Sequence, residues 1–308
     1  MMRVKLKDIT NYSKGSQINR DILLENGKYI YLNGGINTSG KWNAYNVSSK
    51  TITISEGGNS SGYINYITEP FWCGAHCYYL FDGPKNTKYL YYALKSQQER
   101  LFKIRSGACM PNIKKKDLGN FEFEFDFNEK IQIKIVSILD ECNKIINNYK
   151  LELELLDELV KARFVELFGD PATNEYNWPM LNLENVSSII TYGLTVRPTY
   201  VNKGIDLISA RELHKGFIEY EVAPKISFND FQSLSDKGNP LKNDILFSKT
   251  GSIGHCALVD TDKMFAITQN AARLGLIIEK VNPVWLLYYL RMNYIQDWCK
   301  RHAKGNAV

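Results

Sequence analysis

Long hydrophobic runs are missing from this 308-residue sequence, which argues against a membrane protein. A spanning helix needs about 18 or more consecutive apolar residues, and no stretch of the chain approaches that length. Residues 1–5 are too polar to begin a secretory signal. The six cysteines are scattered, so we predict free thiols in a reducing cytoplasm rather than a disulfide framework.

Motifs for catalysis on nucleotides are also missing. The sequence has no Gly-x4-Gly-Lys-Ser/Thr loop, so binding of ATP at a P-loop is not supported. An adenine methyltransferase grips a flipped base with an Asn-Pro-Pro motif that ends in an aromatic ring. The nearest match, residues 239–241, lacks the second proline and the ring. We therefore predict that the chain has no catalytic site and no cofactor of its own.

Zinc is the remaining cofactor to consider, because Cys73, His76 and Cys77 lie close together in the sequence. A structural zinc site needs about four ligands, usually supplied as two close pairs. Cys299 and His302 form another close pair. We favour a buried strand with small thiols at residues 73–77.

Basic residues are present in modest excess, with a formal net charge of +5. Residues 1–128 contain 17 basic and 11 acidic residues, residues 129–170 contain 6 and 9, and residues 171–308 contain 15 and 13. Two basic flanks thus bracket an acidic middle. A basic surface favours contact with phosphates through counterion release, although charge alone is equally compatible with an ordinary solvated surface.

The flanks and the middle differ in their hydrophobic pattern. Residues 29–32, 51–54, 77–81 and 121–125 predict strands, and a helix is expected near residues 87–102. Between residues 129 and 168, apolar side chains recur at steps of three and four, which predicts one long helix with Asn128 as its N-cap and Gly169 as its stop. The stripe consists of Ile131, Ile135, Ile138, Cys142, Ile145, Tyr149, Leu153, Leu156, Val160, Phe164 and Leu167. Such a rod exceeds what one small domain covers, so we expect it to pair with a partner helix rather than only pack on its own chain.

The third segment of the sequence repeats features of the first. Four matches occur in the same order: residues 4–9 with 181–186, 29–32 with 206–209, 54–58 with 247–251, and 89–95 with 285–291. Four matches in order indicate two related domains. Residues 107–110 match residues 305–308, where the sequence ends, so we expect the second copy to lack the strand and long helix that follow the first.

The order of a globular domain, a long helix and a repeat of the first domain resembles the specificity subunit of type I restriction–modification enzymes. Residues 164–171 followed by Trp178 are similar to that family's junction between the central helix and the second recognition domain. Residues 246–254 resemble its strand and glycine loop, and residues 266–270 its next strand. Residues 106–113 with 116–118 resemble its entry into the central helix.

The resemblance implies an α+β fold with two target recognition domains of mixed β-sheet and helices. We expect the first at residues 1–128, a coiled-coil-type central spacer helix at 129–170, and the second at 171–308. In this family each recognition domain reads one half of a split site in double-stranded DNA. The central helices, which pair antiparallel, set the unread spacer and dock methyltransferase subunits. Type I methyltransferase subunits and motor-nuclease subunits are the implied partners, and they carry the methyl donor, ATP and magnesium.

Two other functions remain open. An enzyme with a degenerate motif would bind methyl donor or cleave DNA by itself, and the missing motifs argue against it. An assembly or decoy protein, truncated at its second copy, would bind methyltransferase without reading DNA. Without a distal helix, we also expect self-association through the central helix.

The candidate DNA contacts are polar residues on the glycine loops, the strands that follow them and the helix-end loops, because base reading needs donors and acceptors on rigidly held loops. Each has a simpler reading as a solvated turn residue or as a partner of buried backbone groups. In the first domain they are Asn59, Ser60, Ser61, Tyr63, His76, Arg105, Lys114 and Lys115, extended by Lys116. In the second domain they are Lys249, Thr250, Ser252, His255, Gln269, Asn270, Arg273 and Arg301, with His302 and Lys304 beside them.

Overall fold

Short strands joined by turns rich in glycine and asparagine make up most of both halves of this protein. The computed structural model describes residues 1–107, 109–233 and 238–303. The chain divides into a first unit, Met1–Lys150, and a second unit, Leu151–Val308. The predicted contact at Lys304 and the match at residues 305–308 lie outside the described residues.

The first unit contains three small sheets. The strands are β1 Met2–Lys5, β2 Asn11–Lys14, β3 Tyr29–Leu32, β4 Gly40–Trp42, β5 Thr51–Ser55, β6 Ile64–Ile67, β7 Trp72–Cys73, β8 Cys77–Phe81 and β9 Glu122–Phe125. The helices are α1 Leu6–Ile9, α2 Thr87–Lys95, α3 Gln98–Lys103, α4 Lys115–Gly119 and the start of α5 Glu129–Phe168, with a 3-10 turn at Arg20–Ile22. Strands β2, β8, β5 and β6 form one sheet in that order, β4, β3 and β7 form the second, and β1 pairs with β9.

The second unit contains two four-stranded sheets. Its strands are β10 Ser187–Tyr192, β11 Tyr200–Val201, β12 Ile205–Ile208, β13 Lys225–Ile226, β14 Ile245–Ser248, β15 Cys256–Leu258, β16 Ala266–Ile267 and β17 Ala271–Leu276. Its helices are α6 Leu183–Val186, α7 Phe228–Gln232, α8 Pro283–Arg291 and α9 Asn293–His302, with 3-10 turns at Ala210–Leu213 and Tyr220–Val222. The sheets are ordered β10-β17-β14-β15 and β11-β13-β12-β16.

The long helix α5 begins and ends where the sequence predicts. The Asn128 side chain accepts hydrogen bonds from the backbone N–H groups of Lys130, at 3.0 Å, and Ile131, at 3.3 Å. Gly169 adopts a φ of +80° and donates to the Val165 carbonyl at 2.8 Å, which closes the last turn. The cap and the stop are local signals, so they could be predicted without the tertiary structure.

The prediction of a single helix near residues 87–102 is wrong. The structure has α2 and α3 instead, separated at Ser96 and Gln97. The Ser96 hydroxyl donates to the Ala93 carbonyl at 2.9 Å, and the Gln97 N–H donates to the Leu94 carbonyl at 2.9 Å. These short-range bonds tighten the last turn of α2 and end it.

Each unit has its own apolar core. In the first, Ile52 and Ile54 of β5 are fully buried in a cluster with Leu90 and Leu94 of α2. In the second, Ile245 of β14 is fully buried in a cluster with residues of α8. In each unit, a strand and a helix thus pack together beneath the loop that follows that strand. These are β5 with α2 in the first unit and β14 with α8 in the second.

Candidate DNA interface

The glycine loop of the first unit, residues 56–63, joins β5 to β6. The Ser60 hydroxyl donates to the Gly34 carbonyl at 2.7 Å, and the Ser61 hydroxyl donates to the Glu56 carbonyl at 2.7 Å. Asn59 is exposed, whereas Ser61 is fully buried. The two hydroxyls therefore hold the loop in shape and leave Asn59 at its tip.

Three segments of the first unit meet at Glu56. Its N–H donates to the His76 carbonyl at 2.9 Å, and its carbonyl accepts from the Ile113 N–H at 2.8 Å. Its carboxylate pairs with Lys14 and lies 3.3 Å from Nδ1 of His76. The structure thus brings His76 and the loop around residue 113 beside the glycine loop.

The predicted basic contacts of the first unit, Arg105 and residues 114–116, lie close in sequence to Ile113, which bonds to Glu56. The guanidinium of Arg105 lies 4.0 Å from the centre of the Phe102 ring. Ser106 and Asn112 exchange backbone hydrogen bonds at 2.8 Å, which closes the loop between them. Lys114 and Lys115, with Lys116, are exposed just beyond it. These exposed ammonium groups make this part of the surface basic.

The glycine loop of the second unit, residues 249–255, joins β14 to β15. The Ser248 hydroxyl donates to the Ser252 carbonyl at 2.6 Å and accepts from the His255 N–H at 2.9 Å. Lys249, Thr250 and Ser252 are exposed. The buried Ser248 hydroxyl therefore ties the middle and the end of the loop to the end of β14, and the side chains of Lys249, Thr250 and Ser252 are left exposed.

An open cleft of about 480 Å³ lies beside this loop. Its lining combines three predicted contact residues with two basic residues that the sequence reasoning missed. The lining residues are Ser209, Ala210, Arg211, His214, Thr250, Gly251, Ser252 and Asn270. Hydroxyl, amide and basic groups thus converge on one concave surface.

Arg211 and His214 were missed because a long-range strand pairing places them. Strands β12 and β16 run parallel, with Ile208 opposite Ile267, so the residues that follow each strand lie at the same edge. The repeat already marked residues 206–209 as a strand, and a search for basic residues just beyond it would have found both.

His255 lies in a basic environment. Burial lowers its pKa, and the nearby charges of His214 and Lys300 lower it further. Nδ1 of His214 is 3.2 Å from a carboxylate oxygen of Glu219, which also pairs with Lys215. The lowered pKa favours a neutral His255 ring that both donates and accepts hydrogen bonds.

Two predicted contact residues are buried and are not carried into the interface. Ser61 is fully buried and bonded to Glu56. Arg273 is 5% exposed, and its Nε lies 2.6 Å from a carboxylate oxygen of Asp244. A side chain in either position cannot reach a base without unfolding its strand or loop.

The remaining predicted residues are accessible to different degrees. Tyr63 is half-buried, with Nζ of Lys95 lying 3.8 Å from the centre of its ring. Gln269 is exposed, and its N–H donates to the Leu194 carbonyl at 2.9 Å. Arg301 is exposed near the end of α9.

The two glycine loops are closed by the same backbone hydrogen bonds. In the first unit the N–H of Gly62 donates to the Ser55 carbonyl at 2.8 Å. In the second unit the N–H of Gly254 donates to the Ser248 carbonyl at 3.1 Å. Both glycines have a positive φ, +82° and +101°, a conformation that favours glycine. Ser55 and Gly62 therefore correspond to Ser248 and Gly254.

The same correspondence pairs the side chains on the loops. Glu56 donates its N–H to the His76 carbonyl at 2.9 Å, and Lys249 donates its N–H to the Asn270 carbonyl at 3.0 Å. Glu56 thus corresponds to Lys249, as the repeat predicts, and His76 corresponds to Asn270. The framework is shared, whereas the side chains that it presents differ in charge and in hydrogen-bonding groups.

The apolar stripe of α5 is largely uncovered. Ile135 packs against the core of the first unit, and Phe164 is buried against Trp285, with ring centres 5.8 Å apart. Of the other nine stripe residues, Cys142 is exposed, and the remaining eight are 41–67% exposed: Ile131, Ile138, Ile145, Tyr149, Leu153, Leu156, Val160 and Leu167. The stripe is therefore available to a partner.

Cys73 and Cys77 are buried in successive strands. A hydrogen bond with Cys77 and burial both raise the pKa of the Cys73 thiol. Among the described residues, no group of three or more His, Cys, Asp or Glu side chains is arranged to hold a metal ion. Within the same part of the chain, no helix is long and apolar enough to cross a membrane.

Comparison with known proteins identifies the family. The model of the type I restriction modification DNA specificity domain matches residues 1–156. The chain belongs to this family. The predicted specificity-subunit family is thereby confirmed.

Two curated relatives are similar to this specificity-domain chain. A putative type I specificity subunit from Mycoplasma genitalium is 29% identical over 191 residues, which cover 61% of this chain and 50% of the relative. A putative type I specificity subunit from Mycoplasma pneumoniae is 32% identical over 163 residues, which cover 51% of this chain and 40% of the relative. The matches span half or less of these relatives.

A solved structure supports the fold. The crystal structure of a type I restriction–modification S subunit from M. genitalium superposes with a TM-score of 0.61 at 21% identity, covering 98% of this chain and 79% of that chain. At this identity the likeness establishes the fold alone. The predicted α+β fold is confirmed.

Proposed function

We propose that this chain is the DNA sequence-reading subunit of a type I restriction–modification complex and has no catalytic activity of its own. The observation that carries the proposal is the shared loop framework with different side chains at corresponding positions. Two units with similar loops but different side chains on those loops suit a bipartite DNA target whose two halves differ in sequence. On this proposal, residues 1–128 and 171–308 each read one half, and residues 129–170 set the spacer.

The proposed contacts in the first unit are Asn59, Ser60, Tyr63, His76, Arg105, Lys114 and Lys115. Those in the second are Lys249, Thr250, Ser252, His255, Gln269, Asn270 and Arg301, joined by Arg211 and His214. Asparagine and glutamine amides match adenine edges, and arginine matches guanine. The exposed lysines suit phosphates, which fix the register of the protein on the duplex.

The uncovered stripe of α5 is the proposed surface for a partner helix. Eight apolar side chains on one helix face are costly to leave in water, and pairing with another helix buries them. Methyltransferase and motor-nuclease subunits are the proposed partners, and they would supply the methyl donor, ATP and magnesium. In isolation we expect self-association through this stripe, and a clean monomer by light scattering at tens of micromolar would contradict it.

The deciding experiment is a pull-down with the methyltransferase encoded beside this gene, followed by methylation-sensitive sequencing of the host genome. A stable complex with adenine methylation at one split motif supports the proposal and supplies the target sequence. If no complex forms, the assignment as a reading subunit fails.

An assembly or decoy protein is the second candidate, because the uncovered stripe alone is enough to bind a methyltransferase. The loops separate the two functions. Replacing Lys249, Thr250 and Ser252 by alanine should abolish methylation at the motif if the chain reads DNA. A complex that forms without any methylated motif would favour the decoy.

A further inference from the structure

In each unit, side chains from two helices bond to the end of the glycine loop. These helices are α2 and α3 in the first unit, and α8 and α9 in the second. In the first unit, Nε2 of Gln98 donates to the Gly62 carbonyl at 2.6 Å, and Oε1 accepts from the Ile64 N–H at 3.0 Å. One amide therefore holds the backbone on both sides of Tyr63. That residue is a proposed contact.

The second unit uses a similar arrangement. Nε2 of Gln296 donates to the Gly254 carbonyl at 2.9 Å and to the Leu290 carbonyl at 2.6 Å. The guanidinium of Arg291 donates to the Cys256 carbonyl at 3.0 Å. The bonds to Gly254 and Cys256 hold the backbone on both sides of His255, which is also a proposed contact.

A cation accompanies the glutamine in both units. Lys95 is the last residue of α2, and its Nζ donates to the Ile64 carbonyl at 3.0 Å and to Oε1 of Gln98 at 3.1 Å. Arg291 is the last residue of α8 and holds the corresponding carbonyl of Cys256. The repeat of these contacts in two units marks them as part of the loop rather than as chance surface bonds.

The carbonyl groups of Gly62 and Gly254 depend on the glutamine amides as hydrogen-bond donors. Gly62 and Gly254 are buried, and a buried carbonyl without a hydrogen bond is unfavourable. Removing the glutamine amide would therefore let the loop move to find another donor. Its side chains would then shift relative to the bases.

We propose that Gln98 and Gln296 are positioning residues, one in each unit, that fix the glycine loop in its reading orientation. Each governs the fidelity of one half of the bipartite site without touching DNA. This inference rests on the proposed function and adds residues to it.

The test is a selection of duplexes from a random-sequence library by the full chain, together with its methyltransferase. Gln98→Ala should lower the preference for the selected bases in one half-site by at least about tenfold, on the scale of one mismatched base pair, and leave the other half unchanged. Gln296→Ala should do the reverse. Gln97→Ala is the matched control, because the Gln97 side chain bonds with Ser96 and Arg100 at the surface rather than with the loop.

The outcomes separate the two proposals. If the wild-type chain selects no motif, the proposed function fails and this inference falls with it. If the wild type selects a motif and both variants keep it, or lose both halves equally, the positioning role is overturned. Gln98→Glu guards against a variant that does not fold, since it keeps the acceptor for Ile64 and replaces the donor for Gly62 by a carboxylate oxygen. It should show the same one-sided loss.

Discussion

The two units place different chemistry on the same loop framework. Glu56 of the first unit pairs with Lys14, whereas Nζ of Lys249 at the corresponding position lies 4.0 Å from the ring centre of Tyr192. The bonds that build the framework involve backbone atoms, so they are indifferent to these side chains. The side chains on the loop can therefore change while the backbone that supports them stays constant.

The units differ in their interiors as well. Asp206 of β12 is 1% exposed and pairs with Lys225 and Lys263. Strand β12 pairs in parallel with β16, with Ile208 opposite Ile267, and β3 pairs in parallel with β7, with Leu32 opposite Cys73. This pairing aligns Asp206 with Ile30, whereas the match in the sequence aligns it with residue 29. Buried charge in the second unit thus stands where the first has an apolar side chain, and the stability of the second should depend more on pH.

The largest expected effect concerns a close approach of two backbone segments that occurs in both units. A Cβ at Gly193 would overlap the Ile267 carbonyl, and one at Gly15 would overlap the Cys73 carbonyl. Either glycine changed to alanine should lower the free energy of unfolding by about 4 kcal/mol or more, because backbone must move. Chemical denaturation measures this.

Gly57→Ala is the control for those variants. Among the described residues other than Glu56, Gly57 and Gly58, no atom lies within 4 Å of a Cβ at that position. Its stability should change by less than about 1 kcal/mol. Equal losses of unfolding free energy in Gly15→Ala, Gly193→Ala and Gly57→Ala would contradict the role given to the two close backbone approaches.

The buried ion pair of the second unit gives the next effect. Arg273→Met should lower the free energy of unfolding by about 3 kcal/mol, since it leaves Asp244 buried without its charged partner. Arg163→Met, which breaks the exposed pair with Glu166, should cost under about 1 kcal/mol. Similar values for the two variants in urea denaturation would contradict the assigned burial.

Acid should weaken the pairing of Asp206. Burial raises the pKa of this carboxyl, its lysine partners lower it, and the net shift is downward. A lowered folded-state pKa contributes stability above the unfolded value of about 3.9, and that stability is lost as pH falls through the folded-state pKa. Asp206→Asn should therefore cost about 2 kcal/mol at pH 7 and much less below that window.

Asp262→Asn is the matched control, because Asp262 is 82% exposed in its pair with Lys242. Denaturation curves collected from neutral pH down through that window should show little change for it. A pH-independent cost for Asp206→Asn would refute the role given to the two lysines.

The smallest effect concerns the side chains on the loops. Lys249→Ala should reduce the slope of log affinity against log salt by about 1, if Lys249 contacts one phosphate. Lys242→Ala, at the opposite end of β14, should leave the slope unchanged. Titration of the selected duplex at several salt concentrations distinguishes them.

Much of the local structure could be predicted because its causes are local. The cap at Asn128, the stop at Gly169 and the stripe between them follow from residues a few positions apart. The break at Ser96 was missed, because helical periodicity continues across it. Ser61 and Arg273 were placed in the interface because a polar side chain on a glycine loop, or on the strand that follows it, looks the same in sequence whether it is buried or exposed.

The sequence by itself determined the α+β composition, the long helix and the repeated domain, because each depends on periodicity, turn residues or order along the chain. Only the tertiary structure decided that Gln98 and Gln296 support corresponding glycines, and that Arg273 is buried beside Asp244. These meetings depend on strand pairing and helix packing between residues that are distant in sequence, and no local pattern records them.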